Sequence, residues 1–96
     1  MQGHLRALAL TGADQAARAT ASIYHGYTVI ETGGTNPATV RIYDNASAAS
    51  GTLIGAVNLA AGGSADVCLN RGQWCENGIY VDVGGTGTVA GSVRIG

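Results

Sequence analysis

In ATVRIYD, residues 38–44, Ala38, Val40 and Ile42 alternate with Thr39, Arg41 and Tyr43. A period of two marks a strand buried on one side, because successive side chains leave a pleated backbone in opposite directions. The alternation returns in TLIGAVNL, where Leu53, Val57 and Leu59 fall together, in GIYVDVGG with Ile79, Val81 and Val83, and in TVAGSVRIG with Val89, Val93 and Ile95. Tyr80, Asp82, Ser92 and Arg94 take the opposite, outward faces. Three further runs, HLRALAL at 4–10, SIYHGYTVIET at 22–32 and SADVCLN at 64–70, are strand-like, but the first two mix both faces.

Between the runs lie GGTNP, DNASAASG, AAGGS, NRGQ and GGTGT, clusters of the residues that turn a chain. Strands recurring about every 8–12 residues with such punctuation make an antiparallel sandwich or barrel. The expected fold is all-β: a single antiparallel β-sandwich, jelly-roll or Ig-like, of about 7–8 short strands. The sandwich domain covers residues 21–96, and residues 1–20 form an N-terminal arm or edge segment. Within that segment, Ala13 to Ala19 is expected to make one or two helical turns after a Thr11 cap, a length marginal for a helix alone. DNASAASG reads as a plain turn: Asp44 and Asn45 form local turns, Ser47 and Ser50 do so weakly, and Gly51 tolerates positive φ. GGTGTVAGS reads as a hairpin, because it has neither the strand–loop–helix setting nor the lysine of a phosphate-binding loop.

At 96 residues the chain has room for one core. With no Phe, one Trp and 16 Gly, that core is filled by Val, Ile, Leu and Ala, and association with neighbours is a natural source of added stability. Charged residues make up 11% of the chain, against roughly 25% in ordinary soluble domains. All five cations are arginines, at 6, 18, 41, 71 and 94, and they do not cluster, so the electrostatic footprint of nucleic-acid binding is missing. An all-arginine set suits protein interfaces, where a weakly hydrated fork of donors is useful; a GC-rich genome yields the same bias. No run approaches the ~20 apolar residues of a membrane span. The start of the chain ends in an A-x-A-like Ala17-Arg18-Ala19, but its apolar part is short and flanked by Arg6 and Asp14, so synthesis in the cytoplasm without a signal peptide is expected.

Cys68 and Cys75 bracket CLNRGQWC on either side of an expected hairpin turn. That placement admits a disulfide or two separate thiols, and the spacing matches neither a zinc knuckle nor a C-x-x-C redox motif. His4 and His25 lack ligand spacing, no metal or cofactor is implied, and no signature surrounds a Cys68, His25 and Asp44 nucleophile set. Asp14, Glu31, Asp44, Asp66, Glu76 and Asp82 are scattered over separate elements, without the facing pair a glycosidase requires. No catalytic residue is assigned, and the chain is read as a non-enzyme. Tyr43 and Tyr80 share an outward face with Arg41, near Arg94, the residue types that protein interfaces enrich. The same rings also serve as core residues or as platforms for sugars.

The segments SIYHGYTVIETGGTNPATVRIYDNASAASGTLIGAVNL and NGIYVDVGGTGTVAGSVRIG resemble small virion proteins from the head-gene region of tailed phages. The likeness lies in a strand ending in VRIYD, a small-residue turn, a short apolar strand, then GIYVDV and a closing SVRIG-like strand. It implies a capsid decoration or minor head protein, a β-sandwich on the capsid surface that clamps subunits together. Its partners would be the major capsid protein and copies of itself, in trimers at local threefold positions. Contact is then expected through Arg41, Tyr43, Tyr80 and Arg94, with an arm from Gln2 to Leu10 that includes Leu5 and Arg6. The pair Cys68 and Cys75 is no part of the likeness. A rival reading is a carbohydrate-binding sandwich of a phage fibre or tail adhesin, with Trp74 and Tyr80 as stacking platforms.

Overall fold

The computed structural model describes residues 6–96. Among the described residues are eight strands: β1 (Arg6–Ala9), β2 (Gln15–Arg18), β3 (Ser22–Glu31), β4 (Ala38–Asp44), β5 (Thr52–Leu59), β6 (Ser64–Cys75), β7 (Ile79–Gly85) and β8 (Val89–Ile95). Two four-stranded antiparallel sheets are formed, one in the order β1-β8-β3-β6 and the other β2-β7-β4-β5. The expected single antiparallel sandwich is therefore present. Its strands pair by nesting: β4 with β5, β3 with β6, β2 with β7 and β1 with β8. That is one long ribbon folded at the β4–β5 turn and rolled up, the topology of a jelly roll and not of an immunoglobulin sandwich.

The alternation seen in the sequence builds the core. Ala38, Val40 and Ile42 of β4, Ile79 and Val81 of β7, and Val89, Val93 and Ile95 of β8 are buried between the sheets with Tyr24, Tyr27 and Val29 of β3. Each fully buried Val or Ile side chain contributes roughly 1.5–3 kcal/mol.

The mixed faces of SIYHGYTVIET have a specific cause. Tyr24 opposes Ile95 and Gly26 opposes the adjacent Arg94, so His25 is an extra residue on β3, and the facing parity flips there. Ser22 and Tyr24 point inward before the bulge; Tyr27, Val29 and Glu31 do so after it. Gly26 makes this possible: its φ is +117°, and a Cβ there would drive into the carbonyl oxygen of Val67.

Several sequence expectations are corrected. The 13–19 segment contains no helix; Gln15–Arg18 is β2, a strand held on the edge of β7 by pairing that no local propensity announces. NRGQ does not join two strands as a hairpin turn: it lies within β6, Ser64–Cys75, whose residues 69–72 are looped out opposite the β3 bulge while the strand keeps β3 as its partner on both sides. GGTGT is likewise no hairpin: it carries the chain from β7 in one sheet to β8 in the other. In β5 a second bulge lies between Ile42/Tyr43 and Gly55/Leu53, with Ile54 as the extra residue, so Leu53 turns outward and is 49% exposed while Ile54 packs toward the core.

Candidate functional site

The loops at both ends of the sandwich are held by acidic or amide side chains. Glu31, at the end of β3, is 1% exposed, and its carboxylate accepts four backbone N–H groups. Oε2 takes Gly33 and Thr88, both at 2.8 Å; Oε1 takes Gly34 at 2.7 Å and Gly62 at 2.9 Å. Three separate loops are thereby tied to one side chain. The hydrogen bonds from Thr88, Gly62 and Gly34, with that from Gly33, hold the carboxyl down at about 2 against the opposing effect of burial. At the other end, Asp44 accepts the N–H groups of Glu76 at 3.2 Å and Asn77 at 2.9 Å, and Asn45 Oδ1 accepts those of Ser47 and Ala48. DNASAASG is thus the turn that its composition implies, the tip of the β4–β5 hairpin.

The outer face of the β2-β7-β4-β5 sheet gathers most of the contact candidates. Tyr43 lies directly opposite Tyr80, and each has a further neighbour in the same row: Leu53 beyond Tyr43, Ala16 beyond Tyr80. Both tyrosines are half-buried and Leu53 is exposed, giving an aromatic and aliphatic ridge across four strands. In the adjacent row Arg41 lies between Asp82 and Ala56. Its guanidinium is fixed by the carbonyls of Val40 and Val57, each at 3.0 Å, and by Asn58 Oδ1 at 2.7 Å. Burial, then the neighbouring Asp14 carboxylate, hold Asp82 above the usual carboxylate range, and Arg41 opposes them. Arg41, Ala56, Val57 and Asn58 line a shallow open depression.

Arg94 does not join this group. It is on the outer face of the other sheet, where it reaches Val67 O at 3.0 Å, Asp66 Oδ1 at 3.1 Å and the Thr28 hydroxyl, while Thr28 donates to Asp66 at 3.0 Å. Alternation cannot tell which sheet a strand enters, and that is why Arg94 was expected near Arg41. Trp74, 63% exposed and paired with Ile23, shares the face of Arg94. Trp74 and Tyr80 therefore stand on opposite outer surfaces and cannot form one stacking platform. Arg6 is exposed on edge strand β1, and Leu5 lies outside the described residues, as do Gln2 and His4.

Cys68 and Cys75 are both free, the first exposed and the second buried. They sit on one strand opposite Gly26 and Ser22, positions four residues or ~13 Å apart along β3, well beyond the reach of a disulfide. Burial, followed by the Asp44 charge, pushes the Cys75 thiol up to about 11. Among the described residues no three His, Cys, Asp or Glu side chains converge as metal ligands, and no helix is long and apolar enough to cross a membrane.

Leu53 and Asp14 belong to the ridge and its acidic neighbour but escape the sequence reading. Leu53 is hidden by the bulge, and Asp14 arrives only through the strand pairing of β2, where it accepts Val83 N–H at 2.8 Å. Glu31 does carry a local signal, an acidic residue at a strand end just before Gly33 and Gly34. No protein-family model, curated protein or solved structure matches the chain.

Proposed function

We propose that the chain is a structural virion protein of a tailed phage, bound to the outside of the capsid through the outer face of the β2-β7-β4-β5 sheet. The Tyr43–Tyr80 ridge with exposed Leu53, flanked by the immobilised Arg41, is the observation that carries this reading. Aromatic residues and arginine dominate binding energy where they are desolvated, and here their side chains are already ordered by the sheet, so little entropy is lost on contact. Eight loop N–H groups, four at each end of the sandwich, are occupied by Glu31, Asp44 and Asn45, which favours a face-on attachment over a loop-borne site. Jelly rolls serve capsids and lectins alike, so the surface and not the fold has to discriminate. On a capsid lattice a modest contact is multiplied by repetition, and self-association into a homo-oligomer adds to it.

Co-sedimentation with capsids of the phage that encodes the chain tests the proposal. Binding should be lost in Tyr43→Ala/Leu53→Ser and kept in Trp74→Ala, on the opposite face. The converse pattern refutes it. Exposed Trp74 supports a second reading, sugar stacking on the β1-β8-β3-β6 face. Saturable glycan-array binding abolished by Trp74→Ala would establish that reading instead.

A further inference from the structure

Of the four strands at sheet edges, three are poorly suited to pairing with another chain. β1, over the described residues, and β2 are four residues each, and β6 is interrupted by the looped-out residues 69–72. β5 is different: it is eight residues long with neither a charge nor a proline, and beyond the bulge at Ile54 its last five residues, Gly55–Leu59, keep regular register with β4. Such an edge is a template for another strand unless something blocks it.

The register of its free groups can be read from Arg41. Nη1 of that residue donates to the carbonyls of both Val40 and Val57, which places both oxygens in the seam between β4 and β5. Val57 therefore directs its backbone groups at β4, and by the alternation of an antiparallel ladder Ala56 and Asn58 direct theirs away from the sheet. Both residues are exposed.

We propose that β5 pairs antiparallel with β5 of a second copy about a two-fold axis at Val57, Ala56 of each copy facing Asn58 of the other. The arrangement is self-complementary, since the same donor and acceptor pair is offered by both chains and Val57 meets itself at a non-hydrogen-bonded position. At the two-fold axis Val57 faces its own copy and Ala56 and Asn58 lie diagonal to theirs, so a charge at these positions would sit near a like charge; β5 has none. Lysine is the common blocker of exposed edges, and the chain contains no lysine at all. Pairing would merge the two β2-β7-β4-β5 sheets into one of eight strands, with both Tyr43–Tyr80 ridges on the same side. Two coplanar contact faces give a bivalent attachment. The pairing commits to a two-fold dimer in place of the trimer that the phage resemblance implies, and it stands whether or not capsid binding is found.

Light scattering on the purified full chain over a wide concentration range should give twice the 9.6 kDa of one copy. Ala56→Pro, which removes an edge-facing N–H, and Ala56→Lys should both run as monomers, while Ala16→Lys on the opposite edge strand stays dimeric. Should the Ala56 variants fail to fold, Val57→Cys in a Cys68→Ser background decides. Cα atoms about 4.5 Å apart at a non-hydrogen-bonded pair are within disulfide reach, so mild oxidation should yield a covalent dimer. A wild-type monomer, a trimer, a dimer indifferent to Ala56→Lys, or no cross-link at Val57→Cys overturns the proposal.

Discussion

Replacing Gly26 by Ala tests whether the β3 bulge is what lets Tyr24 and Tyr27 both enter the core. Gly26 has φ +117° and its added Cβ would collide with the Val67 carbonyl, which belongs to the paired strand β6 and cannot swing away. Gly34 is the control: its φ is +76°, but a Cβ there meets nothing within 4 Å. Positive φ costs a non-glycine residue roughly 1–2 kcal/mol, and the stiffer unfolded chain returns about 0.4–1 kcal/mol in both variants. Only Gly26→Ala adds overpacking, roughly 1–3 kcal/mol. Unfolded-state entropy cancels in the difference between the two; the collision remains, and the φ of +117°, farther from the left-handed well than +76°, adds strain in the same direction. Gly26→Ala should thus be less stable than Gly34→Ala by about 1–3 kcal/mol, or at least about 4 °C in Tm for a domain of this size. Urea titration followed by far-UV circular dichroism measures it, with equal m-values as the check that both variants unfold from the same fold. Equal midpoints for the two variants would refute the reasoning, because the bulge would then tolerate a side chain.

Glu31→Gln replaces an acceptor of four N–H groups with a side chain that also donates, so it should be destabilised at neutral pH. The wild-type carboxyl titrates at about 2 instead of 4.5, so its contribution is complete above 4.5 and is lost as pH falls from there toward 2. The stability gap between wild type and Glu31→Gln should close over that window, and a gap independent of pH contradicts the assignment. Alkylation under mildly alkaline native conditions should label exposed Cys68 alone, with Cys75 reacting only after denaturation, as read by intact mass. The buried Tyr24 hydroxyl has no hydrogen-bond partner among the described residues, and a Cβ at Gly55 would lie 2.7 Å from it. Tyr24→Phe should therefore be neutral or stabilising, and it should rescue Gly55→Ala with a coupling of roughly 0.5–3 kcal/mol in a double-mutant cycle; purely additive effects would disprove the contact.

Strands β4, β7 and β8 are legible in the sequence because their inward residues keep one parity from end to end. The strands that resist reading are those whose parity changes. His25 is an inserted residue on β3, and Ile54 is one on β5, so counting by two from Leu53 places it inside when it is outside. β2 resists for another reason: QAAR has no β-branched or aromatic residue, and only its pairing with β7 makes it a strand. Turn composition misleads in a jelly roll in particular. GGTNP, AAGGS and GGTGT have the chemistry of hairpin turns, yet each joins one sheet to the other, and only DNASAASG closes a hairpin. For the same reason Tyr43, Tyr80 and Arg41 could be recognised as outward, but Arg94 could not be assigned to the opposite layer.

The placement of the polar side chains also decides where a partner can attach. Loops at the ends of a sandwich commonly carry function, because their backbone groups and side chains remain free to be adapted. In this chain Gly33, Gly34, Gly62 and Thr88 give their N–H groups to Glu31 at one end, and Glu76, Asn77, Ser47 and Ala48 give theirs to Asp44 and Asn45 at the other. Ligands that recognise free loop amides are thereby disfavoured at both ends. On the β1-β8-β3-β6 face the central residues Arg94, Asp66 and Thr28 are bonded to one another, which lowers the gain from offering them to a partner. Exposed Trp74 and Ile30 also remain unmatched on that face, near opposite ends of β3; on the other sheet the Tyr43–Tyr80–Leu53 ridge and the β5 edge remain as surfaces whose apolar area and backbone groups are not already matched. They adjoin along β5, but Leu53 lies beyond the Ile54 bulge and outside the Gly55–Leu59 stretch that pairs about Val57, so a substitution there should weaken attachment and leave self-pairing intact.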